Sequence, residues 1–235
     1  MCSRFFLLQQ HYREVMAQLG ITDPADFVSR YNIAPSTLLP AVRASARGAG
    51  HEAVALRWGL VPAWAKSADD SARHINARSE TIAEKPSFRS AYRRRRCVIP
   101  ASGFYEWKRA GKQRLPWVFR REDERPFCFA GVWDSWASST GEVLESCALI
   151  TTAPNAVMQP IHDRMPVVLS PEDCPIWLIP AENPPDHLLR TPAAQGWRAD
   201  RISQYMNNVR HDDPACLTPA QPDESTESLG ELPLH

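Results

Sequence analysis

The 235-residue sequence contains no apolar run that approaches the roughly 20 residues needed to cross a bilayer. Its first residues also lack the basic stretch followed by an apolar stretch that is typical of a secretory signal. We therefore expect a cytoplasmic protein without a membrane partner. With 43% hydrophobic residues and eight tryptophans, the composition is that of a soluble globular enzyme or binding domain.

Cysteine patterns that bind metals are also missing. The six cysteines are widely scattered, no Cys-x-x-Cys occurs, and no Cys/His cluster has the spacing of a zinc site. We therefore expect no metal and no cofactor. Cys97, Cys128 and Cys147 fall in apolar, strand-like runs, which predicts that they are buried free thiols.

The chain has no net charge, because 27 Lys and Arg residues balance 27 Asp and Glu residues. The charges are nevertheless segregated along the sequence. Residues 73–125 hold 15 basic and 6 acidic residues, a balance of +9, whereas residues 142–235 hold 5 and 14, a balance of −9. A basic middle segment suits an anionic ligand bound on one face, although two faces paired inside the fold would give the same pattern.

Regular alternation of strands and helices is absent, as are internal repeats, and short apolar segments dominate. This pattern predicts an α+β fold with a mainly antiparallel, barrel-like β core and a few peripheral helices. Strands are predicted at 38–42, 54–58, 96–99, 117–119, 127–132, 147–152 and 167–169.

The predicted helices are few and short. Apolar residues at helical spacing predict a helix over 10–19, which Gly20 ends. A short turn is predicted over 26–31 and a short helix over 80–83, before Pro86 in the sequence. A further helix is predicted to start with Ser170 as N-cap and to run to about residue 178.

The length of the chain allows one good-sized hydrophobic core. We expect a single domain over residues 1–216. From about residue 217 the sequence becomes polar, acidic and proline-containing, which predicts a disordered tail over 217–235.

Cys2 directly follows the initiator methionine, and methionine is commonly removed before a small side chain. Cys2 would then carry a free α-amine and a thiol, whose reference pKa values are about 8 and about 8.5. An aldehyde can form an imine with this amine, and the thiol can then close a five-membered thiazolidine ring. A lone cysteine near the start of a chain is more often an ordinary small apolar residue. Whether Cys2 is reactive must therefore be judged from the rest of the sequence.

Three further polar segments, His74–Glu80, Gly103–Trp107 and Ile161–Pro166, contain the residue types that such chemistry needs. A histidine and a carboxylate can transfer protons during ring opening, imine formation and ring closure. An amide can orient the amine or the sugar, and arginines can bind flanking phosphates through two hydrogen bonds.

Each of these residues also has an ordinary structural explanation. Local sequence favours a solvent-facing strand position for Glu106, and His162 could be a surface residue. Asn76 could cap or turn the chain, and Arg78 could pair with Glu80 on the surface. The run Arg93–Arg96 is typical of a solvated basic edge. Such an edge would attract the phosphate backbone of a nucleic acid without recognising the base sequence.

Taken together, the segments resemble the SRAP family, the SOS-response-associated peptidases or abasic site processing proteins. Glycine usually follows the cysteine in this family, and here that position is Ser3, whose small size should preserve activity. The matching segments occur in order along the expected domain: Met1–Cys2, Arg4–Phe5, Tyr31–Pro35, Arg57–Lys66, Asn76–Thr81, Lys85–Arg89, Gly103–Trp107, Ile161–Pro166 and Met206–Val209.

The resemblance implies a self-modifying enzyme of the SOS response and DNA repair, which links covalently to abasic sites in single-stranded DNA. Cys2, freed by loss of Met1, would form a stable thiazolidine with the ring-opened sugar. Asn76 would position the reacting groups, and Glu106 would transfer protons during ring closure and reversal. His162 would assist sugar ring opening and imine formation.

The resemblance also implies a set of DNA-binding residues. Arg4 and Arg78 would hold phosphates near the lesion. Pro35 and Trp64 would shape the DNA channel, and Trp107 would line the same region. Stacking of bases on aromatic side chains tolerates any sequence, which suits a lesion that can occur anywhere.

Two other function classes stay open at this point. One is an N-terminal-nucleophile cysteine peptidase or amidohydrolase, which would release product many times and need an oxyanion hole; autopeptidase and lyase-type chemistry are related possibilities. The other is a non-covalent single-strand binder that depends on the basic middle segment alone. We expect a monomer that associates with the nucleoid when it is bound to DNA.

Overall fold

The computed structural model describes residues 2–46, 48, 50–68, 74–181 and 183–221. The helices are α1 (Gln9–Gln18), α2 (Arg89–Arg94) and α3 (Asp173–Leu178), with 3-10 helices at Asp186–Leu188, Gln204–Asn207 and Pro214–Leu217. The strands are β1 (Phe5–Leu7), β2 (Arg30–Ile33), β3 (Leu38–Ala44), β4 (His51–Trp58), β5 (Asn76–Arg78), β6 (Arg96–Ala101), β7 (Gly103–Ala110), β8 (Gln113–Arg121), β9 (Phe127–Ala137), β10 (Val143–Thr152), β11 (Met165–Pro166), β12 (Val168–Leu169) and β13 (Trp197–Arg201).

These strands form two sheets. The first is antiparallel, with the order β13-β8-β7-β1-β2. In the second, β10, β4, β3, β6 and β9 are neighbours in that order, and β9 pairs with β10 again, so these five strands close into a ring. Within the described ranges β10 runs parallel to β4 and β5, and the other strand pairings are antiparallel. The predicted mainly antiparallel β core with few helices is confirmed.

The hydrophobic core fills the space between the two sheets. Continuous buried runs in β9 and β10 supply much of it, as expected for strands that are covered on both faces. Aromatic pairs join the sheets, such as Phe5 with Phe129, whose ring centroids are 5.6 Å apart. A smaller cluster around Phe6 and Tyr105 lies under the segment that contains Met206.

A close approach of β1 to β7 brings the start of the chain into the first sheet. Phe6 is directly opposite Gly103 in the register of the two strands. A Cβ atom at Gly103 would lie 2.3 Å from the Phe6 ring, which real side chains do not tolerate. Glycine at this position therefore allows β1, and with it the residues just before β1, to lie against β7.

The predicted strands all correspond to observed strands, most of them longer than expected. The helix over 10–19 is confirmed as α1, which buries Tyr12, Val15 and Met16. The helix predicted from Ser170 begins later, at Asp173, although the Ser170 hydroxyl accepts a hydrogen bond from the Asp173 amide at 3.2 Å.

Two predictions are wrong, the short helix over 80–83 and the short turn over 26–31. Residues 79–84 form consecutive turns, and four residues before a proline cannot complete a stable helix. The segment predicted as a turn over 26–31 is irregular and leads into β2. The side chain of Asp212 accepts hydrogen bonds from the Tyr31 and Asn32 amides, which fixes this segment through a long-range contact.

The predicted buried thiols are confirmed, because all six cysteines are free and buried. None of the described helices has the length and apolar character that a membrane span requires. Of the tail predicted to be disordered over 217–235, residues 222–235 lie outside the described residues. Before them, Pro219 forms an isolated bridge with Ile202.

Candidate active site

Cys2 lies just before β1, which is paired on both sides by β2 and β7. Its relative exposure is 0%, and its Sγ atom is 3.8 Å from the carbonyl oxygen of Arg4. Burial, together with the nearby Glu106 carboxylate, raises the pKa of the Cys2 thiol well above its ordinary value. The sulfur is therefore protonated at neutral pH, and it can act as a nucleophile only as its proton is transferred away.

Asn76 begins β5, the short strand that pairs in parallel with β10 opposite Leu149. Its Nδ2 atom donates a hydrogen bond to the Cys2 backbone carbonyl at 2.8 Å. Its Oδ1 atom is buried and has no hydrogen-bond partner in the part of the chain that the structure describes. The amide thus holds the backbone of Cys2 and presents an unused acceptor beside it.

Glu106 lies in β7, opposite Trp117 of β8. Its relative exposure is 2%, so the solvent-facing position that local sequence favours is wrong. Burial raises the pKa of the Glu106 carboxyl to about 7. Near neutral pH this group is present in both protonation states, which allows it to accept and to return a proton.

His162 lies in the loop between β10 and β11, with 24% of its side chain exposed. Its Nε2 atom is 3.8 Å from Oε2 of Glu106. Its Nδ1 atom accepts a hydrogen bond from the Arg164 amide at 3.0 Å and lies 3.1 Å from Oδ1 of Asp163. Burial lowers the pKa of His162 below its ordinary value, which favours the neutral ring.

Arg164 anchors the loop that carries His162. Its guanidinium forms a bidentate ion pair with Glu80, with N–O distances of 2.6 and 2.9 Å. The same group donates to the Thr151 carbonyl at 2.7 Å. These contacts join the His162 loop to the turn that follows β5, so His162 and Asn76 are held in one frame.

A cleft of about 360 Å³ opens beside these groups. Arg4 stands over the Trp107 ring, with 5.9 Å between its guanidinium carbon and the ring centroid. The Trp107 Nε1 atom donates to Oδ1 of Asn207 at 2.6 Å. The cleft is lined by Ser3, Arg4, Glu106, Trp107, Arg109, Arg114, His162 and Asn207.

Asn32 connects the cleft to the last part of the described chain. Its Oδ1 atom accepts a hydrogen bond from Arg4 at 2.9 Å. Its Nδ2 atom donates to the carbonyls of Met206, Asn208 and His211 at 3.0, 3.1 and 2.8 Å. Since Asn32 is buried, this single amide orients Arg4 and fixes the segment that holds Asn207.

The sequence profile of the family described as SOS response associated peptidase (SRAP) matches residues 1–209. The chain belongs to the SRAP family. Among its relatives is the abasic site processing protein YoqW of Bacillus subtilis, which is 37% identical over 224 residues, 92% of this chain and 99% of that protein. The abasic site processing protein HMCES of Mus musculus is 30% identical over 245 residues, 84% of this chain and 67% of that protein.

A solved crystal structure has the same SRAP fold. It is a protein from Bacteroides thetaiotaomicron, which superposes with a TM-score of 0.81 at 26% sequence identity. The superposition covers 94% of this chain and 100% of the other. The arrangement of the two sheets is thus also found in a solved structure.

The SRAP resemblance singled out nine site residues, and the structure brings six of them together around the cleft: Cys2, Arg4, Asn76, Glu106, Trp107 and His162. Arg78 is exposed two residues after Asn76 on β5, so the two share one face of that strand. Pro35, in the turn before β3, and Trp64, with 66% relative exposure, do not line this cleft.

Sequence reasoning assigned no role to several residues that the structure places at this SRAP site. Asn32, Arg164 and Asn207 lie within matching segments, so the family pattern already contained them. Arg109 and Arg114 lie in no matching segment. Only the pairing of β7 with β8 brings them to the cleft.

A larger cleft, of about 610 Å³, lies elsewhere on this SRAP protein, where Trp197 and Phe127 form part of its wall. The arginines in its lining are paired with carboxylates, as in the contact of Arg121 with Asp123 at 2.9 Å. Among the described residues, no group of three histidine, cysteine or acidic side chains could hold a metal ion.

Proposed function

We propose that this SRAP protein captures abasic sites in single-stranded DNA through a covalent bond to Cys2. The substrate class is supported by relatives whose names describe abasic site processing. The chemistry is supported by one observation above all: Asn76 donates a hydrogen bond to the Cys2 carbonyl at 2.8 Å. The effect of the Glu106 carboxylate on the pKa of the Cys2 thiol supports it further. Capture requires the loss of Met1, because the nitrogen of Cys2 is otherwise an amide and not a nucleophile.

The first stage of the proposed reaction joins the Cys2 amine to the sugar. The abasic sugar is mostly a closed hemiacetal. Opening it breaks the bond between the anomeric carbon and the ring oxygen, while the proton of the anomeric hydroxyl is transferred to that oxygen, and an aldehyde is released. His162, neutral at pH 7 and in contact with the cleft, would transfer this proton. The amine adds to the aldehyde carbon, and protonation of the resulting hydroxyl expels water and leaves an imine.

The second stage closes the ring. The Cys2 sulfur attacks the imine carbon, a C–S bond forms, and the electron pair of the C=N bond moves to nitrogen. The thiol proton must leave sulfur and reach that nitrogen, and Glu106, with a pKa of about 7, would carry it. One aldehyde and one aminothiol thus give one thiazolidine and one water, with no oxidant or reductant.

A peptidase that uses a Cys2 thiolate is disfavoured by the surroundings of the sulfur. Reactive thiolates in proteins have depressed pKa values and lie near positive groups. Here burial and the Glu106 carboxylate shift the pKa of the thiol in the opposite direction. The imine route avoids this difficulty, because the amine attacks first and the sulfur reacts only with a neighbouring electrophile.

The deciding experiment uses a single-stranded oligonucleotide with one abasic site. The wild-type protein should give one equivalent of a product that survives denaturant. The intact mass of this product should equal that of the protein without Met1 plus that of the oligonucleotide, less one water. Cys2→Ala retains a free amine after methionine removal, so it should give an imine that is trapped by borohydride and no product that is stable without it.

Two results would contradict the proposal. One is a denaturant-stable product that forms equally well with Cys2→Ala. The other is a wild-type protein that retains Met1 and still forms the product. A peptidase would instead release many equivalents of cleaved peptide per protein molecule. Incubating the same protein preparation with a peptide library measures this release.

A further inference from the structure

The hairpin of β7 and β8 places two arginines directly opposite each other. Arg109 and Arg114 are register partners, one pair away from the turn that joins the strands. Directly opposed side chains lie on the same face, with Cβ atoms about 5 Å apart, and like charges in this position are destabilising. The interaction between these two positive charges therefore does not stabilise the hairpin.

Among the described residues, no ion pair compensates this repulsion. In the described ranges, neither Arg109 nor Arg114 has an ion-pair partner, and both are exposed. Other arginines of the sheet are paired, as Arg120 is with Asp200 at 3.0 Å. Within the described part of the chain, the two cations thus present a double positive charge to solvent and to any external anion.

The position of this pair connects it to the proposed reaction. Both arginines line the cleft that also contains Glu106 and His162. Alternation along β7 places Arg109 on the same face as Trp107, the ring under Arg4. Arg4, Trp107 and the arginine pair thus form a basic strip with one aromatic surface, leading away from Cys2 along the hairpin.

We propose that Arg109 and Arg114 bind backbone phosphates of the DNA strand beside the abasic site. The inference rests on the proposed function and adds to it a path for the flanking strand. Two guanidinium groups on adjacent strands of one face suit phosphate oxygens, and binding removes the mutual repulsion of the pair. Phosphate contacts fix position without reading sequence, which suits a lesion in any context.

The test compares the double variant Arg109→Gln/Arg114→Gln with Arg13→Gln/Arg125→Gln, which removes the same charge from two exposed arginines that do not line the cleft. The ligand is a single-stranded oligonucleotide with a reduced abasic site, which has no aldehyde, so that only non-covalent affinity is measured. Affinity is recorded between about 50 and 200 mM salt, the range over which phosphate contacts change affinity most visibly.

Each phosphate contact contributes about 0.7 to the slope of log affinity against log salt for a single strand. We expect the cleft variant to lower the magnitude of this slope by about 1.4 and to weaken binding about tenfold at intermediate salt. The Arg13→Gln/Arg125→Gln control should keep the wild-type slope. Equal slopes for the cleft variant and the wild type, or equal losses for both variants, would overturn the inference.

A second measurement separates this inference from the proposed function. With an aldehyde-bearing abasic site, the DNA concentration for half-maximal capture should rise about tenfold in the cleft variant, in line with its weaker binding. If the wild-type protein forms no covalent product, the proposed function fails while the salt slopes still decide the phosphate contacts. If capture occurs but the half-maximal concentration is unchanged, the phosphate contacts are refuted alone.

Discussion

His162 Nε2 stands 3.8 Å from Glu106 Oε2, which is beyond the range of a hydrogen bond but within reach of one through a small movement or a single water. Burial raises the pKa of Glu106 to about 7 and lowers that of His162 below its usual value. The usual order of protonation is therefore reversed. As the pH falls through 7, the carboxylate takes up a proton before the imidazole does.

Glu106→Gln should make the folded protein more stable above pH 7. Below the reference pKa of 4.5 the carboxyl is protonated in both the folded and unfolded states. Between 4.5 and about 7 it ionises only on unfolding, so the wild type loses stability as the pH rises, on the order of 3 kcal/mol in total at about 1.4 kcal/mol per pKa unit. Urea unfolding at pH 4.5 and pH 8 measures the gain.

The matched control for this stability effect is Glu142→Gln, because Glu142 is exposed on the surface. Its free energy of unfolding should follow that of the wild type at both pH values. If Glu106→Gln followed the wild type as well, the burial of an ionisable Glu106 would be excluded. The same variant should slow thiazolidine closure, since an amide cannot carry the thiol proton.

Asn76→Asp should slow covalent capture by at least about tenfold, because a carboxylate cannot donate to the Cys2 carbonyl and repels it instead. Non-covalent affinity for a reduced abasic site should change much less than the capture rate. Gln18→Glu, an equivalent amide-to-acid change on the exposed face of α1, serves as the control. Equal capture rates for Asn76→Asp and this control would contradict a positioning role for Asn76.

Arg164→Lys should reduce the capture rate more than it reduces stability. Lysine keeps the charge but cannot form the bidentate pair with Glu80, and His162 then loses a fixed position. Half-exposed ion pairs contribute little to folding, so we expect less than about 1 kcal/mol of destabilisation. Single-turnover capture and thermal unfolding are the two measurements. A loss of stability with an unchanged rate would show that Arg164 is only structural.

Asn32→Ala and Asn32→Asp should separate two roles of one side chain. Both remove the donor to the carbonyls of Met206, Asn208 and His211, and each should destabilise the protein by about 2–4 kcal/mol in urea unfolding. The two variants differ at Arg4, because aspartate in place of Asn32 keeps an acceptor for the guanidinium and alanine does not.

Because both variants lose the same donor, the difference between their affinities for single-stranded DNA, measured against salt, then reports on Arg4. Asn32→Asp should weaken binding slightly, since the new carboxylate draws the guanidinium away from phosphate. Asn32→Ala should leave Arg4 without its partner and lower affinity through loss of orientation. Identical affinities for both variants and the wild type would show that Asn32 does not position Arg4.

Parts of this fold could be predicted from sequence because their signals are local. The apolar residues of α1 recur at helical spacing, and the apolar runs of β9 and β10 are long enough to identify buried strands. The start of β2 could not be predicted in this way. It is held by Asp212, about 180 residues away, and no local pattern reports that contact.

In the candidate site, too, some residues could be predicted from sequence and others depend on tertiary contacts. The family pattern identified Cys2 and Glu106, although local alternation alone would have placed Glu106 in solvent. Its burial arises because both faces of β7 are covered at that point, which depends on how the sheets pack. Arg109 and Arg114 carry no motif at all, and only the strand register reveals them.

The contact between Asn32 and the carbonyls of residues 206–211 has a consequence for the order of events during synthesis. Residues near the amino terminus emerge from the ribosome first, yet their pocket is completed by residues that emerge far later. Until then the beginning of the chain is open to the aminopeptidase that removes methionine. If Met1 is removed as the proposed function requires, this removal can precede the burial of Cys2.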